Sequence, residues 1–122
     1  MSEHPRIFVF GSNLGGRHGA GSAKSAVQHH GAIYGCGVGK QGNSYAIPTK
    51  DRNLRVLPLT VIHDYVAAFL EYALTHPEWQ FDVVAIGCGL AGYKPEQIAP
   101  MFSGAASNVH LPPEFQLPPS AR

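Results

Sequence analysis

Three apolar runs, Ile7-Phe8-Val9-Phe10, Tyr45-Ala46-Ile47 and Phe81 to Ile86 (FDVVAI), each give way at once to glycine or proline. None alternates with polar residues as a strand with one wet face must. They read as strands buried on both faces, the mark of a parallel sheet covered by helices. Helical segments separate them. One runs from about Ala20 to His30 and is stopped by Gly31. A second is capped by Thr60 and runs to about Thr75, with Ile62, Tyr65, Val66, Phe69 and Ala73 on one apolar face, until His76-Pro77 ends it. A third opens at Pro95 and reaches about Phe102. This alternation predicts a three-layer α/β fold around a central, largely parallel mixed sheet.

The remaining stretches are less regular. Residues 31–44 are glycine-rich, with strand pieces expected around Ala32–Tyr34, and Asn108-Val109-His110 reads as a last strand. At 122 residues the chain has room for one domain and its core. That domain is expected over residues 1–110. The proline-rich remainder, 111–122, is expected to be an extended tail.

If the three buried strands run parallel, the stretches after them (residues 11–21, 48–53 and 87–93) emerge at one edge of the sheet. Ligands of open α/β sheets bind outside the carboxyl ends of the strands. The first stretch, GSNLGGRHGAG, and the last, GCGLAGY, leave backbone N–H groups bare, and helices start just beyond both. Bare N–H groups and helix N-termini suit an anion, most often a phosphate. Two familiar phosphate motifs fail by one residue. A dinucleotide fingerprint from Gly19 needs glycine where Lys24 stands, and a P-loop needs glycine before its lysine where Ala23 stands. The alternative is that both glycine loops are tight turns that let strand pack on helix.

Composition removes several function classes. A net charge of +1, with the lysines and arginines scattered, gives no electrostatic footprint for a nucleic acid or a membrane surface. There is no apolar stretch near membrane-spanning length and no charged-then-apolar leader at the N-terminus, so a cytoplasmic protein is expected. Cys36 and Cys88 lie in separate segments and read as free thiols, with one disulfide between them as the alternative. The seven histidines show no ligand spacing, so neither metal nor cofactor is expected. His29 and His30 suit the negative end of a helix dipole.

Single residues keep two readings each. Lys50 in TKDR is a solvated turn lysine or a group that touches ligand. Asp51 is a base beside it or a surface carboxylate balancing Arg52. His18 contacts phosphate or shuttles a proton, or is an exposed loop histidine. Arg17 is the cation best placed for a phosphate, because its fork suits bidentate contact. Tyr93 stacks on a ring or packs beneath Pro95, and Trp79 plugs the core.

GRHGAGSA resembles the first ligand loop of macro domains, and IGCGLAGY followed by a helix resembles their second. Between them, YAIPTKD is similar to the strand and lysine of the branch formed by the terminal ADP-ribose glycohydrolases and the DNA ADP-ribosyl glycohydrolase antitoxins. The likeness covers residues 6–103 and implies a macro-type fold that binds ADP-ribose. It implies that Gly15, Gly16, Arg17, Gly19, Ala20 and Gly21 lie along the distal ribose. It places Gly87, Cys88, Gly89, Leu90, Ala91, Gly92 and Tyr93 on the second loop, with N–H groups of residues 88–92 gripping the diphosphate. Lys50 matches the catalytic lysine, whose amine can form a Schiff base with an opened sugar when neutral. Asn13 and His18 are the other catalytic candidates. The glycohydrolase pattern GCGLD has aspartate where this chain has Ala91, whereas the antitoxin pattern has glycine there. The implied function is hydrolysis of an ADP-ribosyl linkage. Non-catalytic binding of ADP-ribose or an NAD-derived signal, and dephosphorylation of an ADP-ribose phosphate, are the alternatives. Nucleic acid enters only as a possible modified substrate.

Overall fold

A computed structural model describes residues 6–116. The elements, in chain order, are β1 (Arg6–Asn13), α1 (Gly21–His29), β2 (Gly39–Gln41), β3 (Ser44–Lys50), α2 (Leu59–Leu74), β4 (Gln80–Val83), α3 (Pro95–Ile98) and β5 (Val109–His110). They form one five-stranded sheet in the order β2-β3-β1-β4-β5. β1 runs parallel to both β3 and β4, and β4 runs parallel to β5; only β2 is antiparallel to its neighbour. The fold is three-layer α/β with a mixed, mostly parallel sheet. No helix among the described residues is long and apolar enough to cross a membrane.

The period of two along β1 divides its side chains between the faces. Ile7 and Val9 join Tyr45, Ile47, Phe81 and Val83 beneath α2, whose buried residues are Ile62, Val66, Phe69 and Ala73. Phe10 and the half-buried Phe8 face α1, where Ala23, Ala26, Ala32 and Ala46 bring the helix close. The aromatic centre of the larger core is Phe69, 5.0 Å from Tyr45 and 5.5 Å from Phe81, ring centre to ring centre.

Several local expectations shift. Residues 32–34 are not a strand: Ala32 and Ile33 are irregular and Tyr34 begins a turn with Gly35; the strand of that region is β2, which makes a hairpin with β3. Pro48 does not end β3 but lies buried inside it. It is tolerated because β2 pairs only as far as Ala46, so the missing N–H deprives no partner on that side. Thr60 does not cap α2: the cap position belongs to Pro58, and Thr60 lies in the first turn. β4 ends at Val83, after which Ile86 N–H turns back to the Val84 carbonyl at 2.7 Å. Trp79 is half-buried rather than a plug, stacked on His76 at 4.7 Å with the Lys40 ammonium 5.0 Å from its ring centre. Within the expected tail, Pro113–Phe115 makes a turn of 3-10 helix, and Phe115 is buried against Phe102 at 5.5 Å. The rest of that tail, 117–122, lies outside the described residues.

Candidate functional site

β1, β3 and β4 end side by side, and a cleft of about 530 Å³ opens there, within the usual range for small-molecule sites. Its floor is Gly11, Ser12 and Asn13 of β1, Thr49 and Lys50 of β3, and the chain from Val84 to Gly87. Its walls include Arg17, the first turn of α1 with Gly19 and Ala20, and the segment Gly89, Leu90 and Ala91. Three loops distant in sequence therefore meet at one place. Among the described residues that line the cleft, Arg17 and Lys50 are basic and none is acidic.

Each wall is held by hydrogen bonds that leave some backbone free. The Asn13 side chain clamps the first loop: its oxygen accepts the Arg17 N–H at 2.9 Å and its amide donates to the Arg17 carbonyl at 3.0 Å. Both ends of the Asn13 amide are thus engaged in holding Arg17. α1 has no side-chain cap and no acidic residue in its first turn, so its positive end faces the cleft unneutralised.

In the last loop, Cys88 N–H donates to the Ala85 carbonyl at 3.3 Å, Gly92 N–H to Gly89 at 3.0 Å, and Tyr93 N–H to Gly87 at 2.8 Å. The implied grip by residues 88–92 narrows accordingly to Gly89, Leu90 and Ala91, whose N–H groups have no such backbone partner and which line the cleft. Nothing lies within 4 Å of where a Cβ on Gly89 would stand.

Other sequence candidates serve the walls rather than the cleft surface. Gly16, at φ +69°, packs so closely on Gly35 that a Cβ there would collide with backbone. Gly15 and Gly92 also lie off the cleft lining. The Tyr93 hydroxyl donates to the Leu57 carbonyl at 2.7 Å, which ties the last loop to the segment after β3. Cys88 packs against the core; burial pushes its thiol pKa up, and Glu114 and Glu96 push the same way.

His18 is not the exposed loop histidine of one reading: it is 3% exposed. Its Nε2 lies 2.9 Å from the Cys36 carbonyl, which can only accept, so Nε2 carries the proton and Nδ1 is left with no partner. Its ring meets Phe10 edge-on at 5.3 Å, and His18 does not line the cleft.

Lys50 sits at the end of β3, partly exposed, with its carbonyl accepting the Leu14 N–H at 2.9 Å. Neither it nor Arg17 forms an ion pair among the described residues. Asp51 does not balance Arg52. Its carboxylate accepts the N–H groups of Asn53 and Arg55 at 2.8 and 2.9 Å and closes the turn after Lys50. Tyr34, Leu54 and Ser22 also line the cleft; Ser22 falls within the GRHGAGSA stretch, whereas nothing in the sequence around Tyr34 or Leu54 marks a ligand contact. Comparison with known protein families, curated proteins and solved structures returned no match.

Proposed function

We propose that this cleft binds ADP-ribose and that the chain hydrolyses an ADP-ribosyl linkage through Lys50. The observation that carries the reading is one cleft at the ends of three adjacent strands, with bare backbone on two walls, two unpaired cations and no acidic side chain among its described lining residues. Such a lining favours a ligand with more than one anionic group. The Lys50 ammonium gives up a proton, and the resulting amine attacks the anomeric carbon of the distal ribose. The departing group leaves with the bonding electron pair and takes up a proton. Water then hydrolyses the lysine-bound sugar, releasing ADP-ribose and restoring the amine.

A second reading is a domain that binds ADP-ribose, or an NAD-derived signal, without turning it over. The same lining favours it, since Ala91 supplies no carboxylate for proton transfer. Dephosphorylation of an ADP-ribose phosphate at the same cleft is a further alternative. Calorimetry with ADP-ribose and AMP tests the binding reading, and incubation with ADP-ribosylated protein and DNA tests the hydrolytic one. ADP-ribose should bind far more tightly than AMP, because two walls share the diphosphate and distal ribose. Equal affinities, or no heat from either ligand, overturn the assignment.

A further inference from the structure

Leu54 is the one described residue other than glycine with a positive φ, at +64°. A bulky side chain pays for that conformation, which glycine or asparagine would adopt more easily. The turn enforces it: Asp51 N–H donates to the Arg55 carbonyl at 2.8 Å, Leu54 N–H returns to the Asp51 carbonyl at 3.1 Å, and the Asp51 carboxylate takes two more N–H groups. The Leu54 side chain nevertheless stays 44% exposed and lines the cleft. Core packing therefore does not account for a leucine at this strained position, and such strain concentrates at functional sites.

Leu90, 74% exposed, lines the same cleft from the loop after β4. Because β1 lies between β3 and β4, Leu54 and Leu90 approach the cleft from opposite sides of the β1 end. Tyr34, 63% exposed, lines it from a third segment. Three of the large apolar side chains left exposed by the fold thus converge on a cleft whose charged lining residues are cations. An anionic group gives them nothing to bury, whereas a flat apolar group does, either the adenine of ADP-ribose or the group joined to its distal ribose.

We propose that Leu54 and Leu90 form an apolar pincer that fixes specificity by gripping the flat apolar face of the group joined to the ribose. This rests on the ADP-ribose reading above. Leu54 belongs to the turn that begins at Lys50, so the pincer stands on the side of the cleft where the scissile bond would lie. The anionic remainder stays with Arg17 and the backbone of residues 89–91.

The test compares the O-phenyl and O-methyl glycosides of ADP-ribose, whose added groups are both uncharged, by calorimetry. The phenyl compound should bind about tenfold more tightly, the effect of burying roughly 50–60 Å² of apolar surface. Leu90→Ala alters a largely exposed side chain and should bring the ratio of the two affinities close to one. Leu54→Gly should do the same while raising thermal stability, because it relieves the backbone. Equal affinities in the wild type, or an undiminished ratio in both variants, overturn the pincer. If ADP-ribose binds and the ratio is one, only the pincer fails; if no compound binds, the ADP-ribose reading fails with it.

Discussion

Gly89 and Lys50 separate binding from chemistry at the scale of single residues. A Cβ on Gly89 would meet open space, so Gly89→Val should fold normally while its branched side chain blocks approach to the backbone. ADP-ribose affinity should drop by about 100-fold, roughly 2.7 kcal/mol, by calorimetry; an unchanged affinity moves the ligand elsewhere. Lys50→Ala should abolish turnover yet keep ADP-ribose affinity within about tenfold, the pattern of a group acting mainly in the transition state. Surviving activity rules out the lysine route. His30 carries a pH signature. Its ring stacks on Phe8 at 4.2 Å; burial, then the neighbouring His29, lowers its pKa below the ordinary 6.5, against an opposing pull from Asp82. The folded state thus binds this proton less readily than the unfolded chain. The associated stability is present above about pH 6.5 and is lost as pH falls through the lowered folded value. The urea-midpoint advantage of the wild type over His30→Gln should accordingly shrink from pH 8 to pH 5. A gap that stays constant or widens toward acid contradicts this.

At the scale of elements, the first loop is built against the connection between α1 and β2. Ser12 Oγ donates to the Gly37 carbonyl at 2.5 Å, Gly35 N–H to the Gly16 carbonyl at 2.7 Å, and Gln41 to the Cys36 carbonyl at 2.9 Å. Backbone lies on backbone here, and a Cβ on Gly37 would run into the Asn13 carbonyl oxygen. Gly37→Ala should therefore cost about 2 kcal/mol of stability and weaken ADP-ribose binding, because the displaced segment holds Arg17. Gly19→Ala, with nothing within 4 Å of its Cβ, should change stability by no more than about 0.5 kcal/mol. Equal effects of the two substitutions on the unfolding midpoint would remove the packing argument.

For the whole molecule, stability rests on the core beneath α2. Phe69 is fully buried, and its ring touches aromatic neighbours from β3, from β4 and, through Phe102 at 6.4 Å, from the turn after α3. Phe69→Ala should cost about 3–5 kcal/mol, a large part of the 5–15 kcal/mol typical of a domain. Leu74→Ala, on the same helix but 66% exposed, should stay within about 0.5 kcal/mol. Urea titration of both variants distinguishes a core centred on Phe69 from one spread evenly along the helix.

The sequence alone determined the α/β class, the parallel core strands and the meeting of three loops at one edge. Those features follow from local signals: apolar runs such as 7–10, helical spacing from Ile62 to Ala73, and glycines where chains turn. The tertiary structure alone decided which residues face the cleft. The strand β2 is three residues, Gly-Lys-Gln, with no apolar pattern of its own; it exists because β3 pairs with it. His18 and Tyr93 look like ligand groups in the sequence, but their polar atoms reach Cys36, 18 residues away, and Leu57, 36 residues away. Which N–H groups of residues 88–92 remain free, and why Leu54 is held at φ +64°, depend on closed turns whose hydrogen bonds no residue pattern announces. Periodicity records which side chains avoid water, whereas a site consists of the polar groups the fold leaves without a partner.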